Sequence, residues 1–205
     1  MNLVSRAQKM LLSPKTEWDV VAGEAATTGS LYSGYAIPFT LVGAVCSFIG
    51  SAFLATVVTS MLGIHYTMMY WIGLYGMSWV LGLVGIYVAA LIIDALAPSF
   101  GSTKGQLNAL KLVVFASTGS WAGQIFNIIP YIGGVIAVAG GIYSIYLFYL
   151  GLPKLMGTPK EKVIGYMVVA ALVMIVIYVI ISAIVGGLSA AFFLTTSGIE
   201  HTVMP

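Results

Sequence analysis

GGIYSIYLFYLGLPKLMGTPKEK, residues 140–162, is the stretch whose reading decides the fold. It starts inside an apolar run, passes Tyr143, Tyr146 and Tyr149, meets Pro153 and ends in a turn with Lys154, Lys160 and Lys162. Phenols followed by lysines, at the end of an apolar run, mark where a helix leaves hydrocarbon for water. The stretch therefore reads as the second half of a membrane-spanning helix and the basic loop after it, with Gly151-Leu152-Pro153 as the helix end.

The rest of the chain has the same character. Of 205 residues, 60% are hydrophobic and 7% charged, and the mean hydropathy is +1.05. A soluble domain carries roughly 25% charged residues. The charges are also segregated: none falls between Glu24 and Asp94, between Lys111 and Lys154, or between Lys162 and Glu200. Each gap has room for one or two spans of about 20 apolar residues. The class is an integral membrane protein, all-α. A net charge of +2 on so few charged groups points to no nucleic-acid partner. Cys46 is the single cysteine, so no intramolecular disulfide forms. No continuous apolar run opens the chain, so no cleavable signal peptide is expected and the first span supplies targeting.

Residues 1–33 read as a cytosolic, interfacial segment. Leu3, Ala7, Met10 and Leu11 recur at helical spacing with Arg6 and Lys9 to the side, which describes an amphipathic helix on the membrane surface. Ser13-Pro14 starts a second helix, with a hydroxyl to cap it and a proline whose missing N–H is not needed there. Trp18 suits the interface. Residues 25–33, AATTGSLYS, read as a small polar linker.

Residues 34–195 hold five expected transmembrane helices. The first runs from about Tyr35 to Leu62, followed by the turn Gly63-Ile64-His65-Tyr66. The second runs from about Met68 to Ile93, with Gly73, Gly76, Gly82 and Gly85 spaced for close helix approach. The third, about Leu107 to Ile129, is the most polar and ends at Pro130. The fourth, about Tyr131 to Leu152, carries a smooth ridge of Gly133, Ala137, Gly140, Gly141 and Ser144. The fifth lies within Val163 to Thr195, longer than the ~30 Å hydrocarbon needs, so it tilts, protrudes or breaks, most readily at Gly186-Gly187. Residues 196–205 are read as a disordered extracytoplasmic tail.

Basic residues orient the bundle. With five spans, Arg6, Lys9, Lys15, Lys104, Lys111, Lys154, Lys160 and Lys162 all fall on one face. The positive-inside rule makes that face cytoplasmic, with the N-terminus inside and the C-terminus outside.

Three stretches resemble the Yip1 domain family of multispanning membrane proteins: ALKLVVFASTGSW (109–121), IYSIYLFYLGLPKLM (142–156) and TPKEKVIGY (158–166). The opening LLSPKTEW (11–18) resembles bacterial members. The resemblance implies five transmembrane helices with a cytosolic N-terminus, in agreement with the charge count, and for a bacterial member the inner membrane. Eukaryotic relatives are associated with membrane traffic and Rab-type GTPases. The segment before the first span is short here, so that partnership is not carried over. The chain also departs from the family at Thr118-Gly119-Ser120, where a proline is common, and the third helix is expected to be straighter for it.

Four residue groups are candidates for function. Ser117, Ser120, Gln124 and Asn127 fall within about an 80° arc of the third helix, and serve either interhelical hydrogen bonds or a polar solute path. Gly119 and Gly123 form a GxxxG on the adjoining face, which favours packing. Asp94, at the end of the second span, is read as forming an ion pair with Lys111 or helix-end hydrogen bonds, with a proton or cation site as the alternative. Met61, His65, Met68 and Met69 offer soft ligands for Cu(I), but Tyr66, Tyr70 and Trp71 among them describe an aromatic belt. Lys154, Lys160 and Lys162 form a basic cytosolic loop, and Arg6, Lys9 and Trp18 the interfacial N-terminal segment. No nucleophile–base pair or phosphate-cradling loop is visible, and no cofactor or resident metal is expected. The reading is a non-enzymatic membrane protein that organises the bilayer or binds other membrane proteins or itself; the alternative is a small transporter or channel using the third helix.

Overall fold

The computed structural model describes residues 2–61 and 68–200. Among these all the regular structure is helix, without strands. Two short helices open it, α1 (Leu3–Leu12) and α2 (Pro14–Gly23). Asn2 caps α1 by accepting the Val4 N–H at 3.2 Å. Pro14 takes the first position of α2, but the Ser13 side chain makes no cap; the Ser13 carbonyl accepts from Glu17 N–H at 3.1 Å and Thr16 Oγ1 at 3.0 Å.

The residues read as a polar linker start the first span instead. Thr27 and Ser30 form a reciprocal capping box, each hydroxyl accepting the other's backbone N–H. This nucleates α3 (Thr28–Leu31), which passes through a wide π turn at Tyr32–Ala36 into α4 (Ile37–Met61). The expected turn at 63–66 lies outside the described residues. Helix α5 (Met68–Leu96) follows, then a single 3-10 turn at Ala97–Phe100.

The stretch read as the third span is not one helix. It consists of α6 (Gln106–Ala116) and α7 (Thr118–Ile125), with a 3-10 turn at Phe126–Ile128. The missing proline does not straighten it. Ser117 Oγ donates to the Val113 carbonyl at 2.7 Å and Thr118 Oγ1 to the Phe115 carbonyl at 2.7 Å. Hydroxyls that back-bond to the preceding turn loosen the helical ladder and bend it, as a proline would.

Helix α8 (Ile132–Met156) begins after a tight turn in which Tyr131 holds φ 68°. It does not end at Pro153. The helix runs one turn further and closes at Gly157, whose φ of 62° is the left-handed conformation that glycine adopts without a Cβ penalty. Near a helix end a proline removes one hydrogen bond, and polar surroundings can replace it. After a 3-10 turn at Lys160–Lys162, α9 (Val163–Glu200) continues without a break at Gly186-Gly187. Its 38 residues amount to about 57 Å. Of the tail, 196–200 belong to this helix and 201–205 lie outside the described residues.

Four helical stretches are long and apolar enough to cross a membrane: Thr28–Thr59, Met68–Phe100, Ile132–Met156 and Lys160–Ala191. The broken third segment is not among them. It runs antiparallel to α8 in close contact. A Cβ placed on Gly119 would lie 2.7 Å from the Gly140 carbonyl oxygen, and one on Gly123 would lie 2.9 Å from Ala137 Cα. The GxxxG of α7 and the small-residue ridge of α8 thus form one interface. Gly73, Gly76 and Gly82 of α5 behave differently: nothing lies within 4 Å of where their Cβ atoms would be.

The tightest core lies at one end of the bundle, the end where the basic segments gather. Met10, Trp18, Val21, Leu110, Leu112, Leu147, Leu152, Met156 and Tyr166 are fully buried there. Away from it α9 is held only loosely. Val163, Tyr166 and Ala170 are buried, while the described residues that follow are exposed or partly exposed.

Candidate functional site

The four polar residues of the third segment do not share one surface. Only Ser117 lies before the bend; the other three, on α7 and the turn after it, meet two different helices. Ser117 serves its own helix. Ser120 faces α8: its N–H donates to Ser144 Oγ at 2.8 Å, and the two hydroxyls meet at 3.1 Å. Gln124 faces α4, where a Cβ on Gly43 would lie 3.2 Å from its Oε1. Asn127 Nδ2 donates to Ser47 Oγ at 3.0 Å, also on α4. Two helix interfaces therefore take up the polar side chains that the spacing placed on one arc.

Next to the bend is a contact that sequence reasoning missed. The Tyr35 hydroxyl and Thr118 Oγ1 hydrogen-bond at 2.8 Å in a buried setting. The Tyr35 ring packs against Phe115 at 4.9 Å, Phe39 at 5.7 Å and Trp121 at 6.2 Å between centroids. This aromatic cluster ties the start of the first span to both halves of the third segment. A tyrosine beside a proline-containing span entrance was the available signal, but nothing in the sequence marked Thr118 as its partner.

Asp94 and Lys111 do not form an ion pair. Asp94 Oδ1 accepts the Gly105 N–H at 2.6 Å and closes the loop that precedes α6. Lys111 faces the other way, towards α2, and its Nζ donates to the carbonyls of Val21 (3.2 Å) and Glu24. It is buried, and it places a positive charge at the C-terminal end of α2, where the unpaired carbonyls and the helix dipole favour a cation.

The interfacial role read for Arg6 and Trp18 is also corrected. The apolar face of α1 packs on protein. Arg6 is 6% exposed and Trp18 fully buried, while Lys9 is exposed. Arg6 binds Glu17 at 2.7 Å through Nη1 and Glu24 through Nη2, and its guanidinium sits 5.5 Å from the centre of the Phe115 ring. With Lys111 at the Glu24 backbone, two cations and two carboxylates balance in a small volume. Trp18 fits against Gly151, where an added Cβ would lie 2.7 Å from the indole ring.

Of the three lysines read as a basic loop, Lys154 lies instead in the last turn of α8, which runs past Pro153, and pairs with Asp19 at the surface. Lys160 and Lys162 are exposed, and among the described residues neither takes part in an ion pair. In the methionine group, Met61, Met68 and Met69 are exposed, and His65 lies outside the described residues.

Two clefts flank α9. One, of about 970 Å³, opens between α8 and α9. Ile142, Ile145, Tyr146, Tyr149, Ile164 and Val168 line its walls, and the Ser120 and Ser144 pair lies at its floor. The other, of about 540 Å³, lies between α5 and α9 beside Ser78, Gly82 and Ser182. Ala89, Val113, Ser117 and Met174 border both.

No curated protein and no solved structure matches the chain. The family model described as Yip1 domain matches residues 9–196. That match takes in the end of α1, all of α2, the broken third segment and the clefts beside α9, and the chain belongs to the Yip1 domain family of membrane proteins.

Proposed function

We propose that this protein is a non-enzymatic, membrane-organising or interaction subunit of the inner membrane, with its basic end in the cytoplasm. We propose further that it makes five crossings, the third built from α6 and α7 in sequence. The orientation rests on the positive-inside rule applied to the basic segments. The fifth crossing is supported by the way the third segment returns the chain to the start of α8.

One observation carries the interaction role. Gly73 and Gly76 present an open backbone surface on one side of α5, whereas the comparable glycines of α7 and α8 are in closest contact with each other. In a membrane, helices associate through such close packing because lipid provides no hydrophobic drive between them. A glycine-lined face without a neighbour among the described residues fits a helix from a second protein or a second copy. The transport reading has no matching support: Ser120 and Asn127, which a solute path would need, are already bonded to Ser144 and Ser47.

The test uses cysteine crosslinking in native membranes, with Gly76→Cys in a Cys46→Ser background. It should retrieve one stoichiometric protein adduct, which Gly73→Leu added to that variant should suppress. Ion or solute flux through purified protein in liposomes, lost in the Gln124→Ala/Asn127→Ala variant, would sink the reading.

A further inference from the structure

We infer that the cleft between α8 and α9 binds one anionic phospholipid from the leaflet on the basic side, with an acyl chain in the cleft and its phosphate at Lys160. The cleft walls are aliphatic and open outward: Ile142, Ile145, Ile164 and Val168 are all more than half exposed. In a membrane protein, surface of this kind meets hydrocarbon, and an unfilled apolar volume forfeits dispersion contacts along its whole lining. Its ~970 Å³ is at the upper end of small-molecule sites, roughly 300–1,000 Å³. A lipid tail is the one occupant always present at that depth.

The part of the cleft nearer the basic end defines the headgroup. Tyr146 and Tyr149 line it, about 40% and 45% exposed. Tyr143 spends its hydroxyl on the Leu11 carbonyl at 2.6 Å, while among the described residues those of Tyr146 and Tyr149 are left to donate. Phenols at headgroup depth hydrogen-bond phosphate and ester oxygens. Ile164, on the wall, comes one turn after Lys160, which is exposed and outside any ion pair. Lys162 leans away, its Nζ lying 3.5 Å from where a Cβ on Gly101 would be. An apolar trough lined by two phenols, with an exposed ammonium one helical turn before its Ile164 wall, complements an anionic lipid better than a zwitterionic one.

The floor allows a clean block. A Cβ on Gly141 would meet only Ser120 Oγ, at 3.9 Å, so a side chain there starts without a backbone clash in the cleft that Gly141 lines. The experiment titrates purified full-length protein in detergent with phosphatidylglycerol or phosphatidylcholine and counts retained lipids by native mass spectrometry. One phosphatidylglycerol is expected to bind in preference to phosphatidylcholine. Lys160→Gln should weaken it about fivefold, the effect of one basic residue near an anionic surface. Gly141→Phe should abolish retention with the helical circular dichroism unchanged. Equal retention of both lipids, or phosphatidylglycerol still bound to Gly141→Phe, overturns the proposal. If Gly141→Phe fails to fold, phosphatidylglycerol with a diazirine in its acyl chain decides on the unaltered protein. Adducts at Ile142, Ile145, Ile164 or Val168 support the site; adducts confined elsewhere, or this face crosslinking to another protein helix instead, overturn it.

Discussion

Arg6 shows how much depends on single side chains in a chain with so few charges. It joins α1 to both ends of α2 through Glu17 and Glu24, and covers Phe115 of α6. Removing one member of a buried ion pair leaves an uncompensated charge and costs about 3–5 kcal/mol. Arg6→Ala should lower stability by that order, read as an earlier transition in denaturant unfolding in micelles. Arg6→Lys should lose less, because an ammonium keeps the charge but not the two-armed geometry. An unchanged midpoint for Arg6→Ala would show that the cluster does not hold the N-terminal helices. The sequence displayed Arg6 on the side of an amphipathic helix, and that much was legible. Whether the apolar face met lipid or protein was not, because both partners select the same periodicity. The Asp94 and Lys111 pairing failed for a related reason: a lone acid and nearby lysines in sequence say nothing of which way each side chain leaves its helix.

The α7–α8 pair was the most readable element. Gly119 and Gly123, and Gly133 to Ser144, are small residues at helical spacing, and in a membrane such a stripe serves close packing. The structure brings the two stripes together. Gly123→Ala should push against Ala137 Cα and the Ile136 carbonyl, at 2.9 and 3.0 Å, and backbone has little room to give. Overpacking of this kind costs about 1–3 kcal/mol. Gly134→Ala, one turn of ridge away and facing open space, should be neutral or slightly stabilising, since alanine favours helix over glycine by about 1 kcal/mol. Thermal unfolding of the two variants side by side checks this, and equal effects would contradict the interface. The bend between α6 and α7 was not legible. Its cause is a pair of hydroxyls at Ser117 and Thr118 turned onto their own helix, and serine or threonine in a span can as readily bond a neighbour. Which neighbours the polar arc meets, α8 at Ser120 and α4 at Gln124 and Asn127, was not legible either.

At the scale of the whole molecule, composition alone was enough to place the chain in the membrane, but the depth of each element comes from contacts. The tip of the α7–α8 hairpin does not reach the end of α4. Gly50 abuts the Asn127 carbonyl, and α4 continues from there to Met61, about 16 Å of further helix. At the opposite end, α8 enters the packed core through Leu147, Gly151 and Leu152. The hairpin is thus displaced along the bundle relative to α4, and two topologies compete: a full crossing whose turn reaches water, or a loop that stops within the bilayer. Both put the N- and C-termini on opposite sides, so fusions at the termini do not separate them. Tyr131, 79% exposed at the turn, does. A full crossing predicts that Tyr131→Cys, in the Cys46→Ser background, reacts with a membrane-impermeant maleimide added outside intact cells. A Leu12→Cys control on α1, also exposed, should react only after the membrane is opened. Protection of Tyr131→Cys from both sides would put the turn in hydrocarbon and reduce the full crossings to three, because α6, α7 and α8 would then enter and leave on the same side.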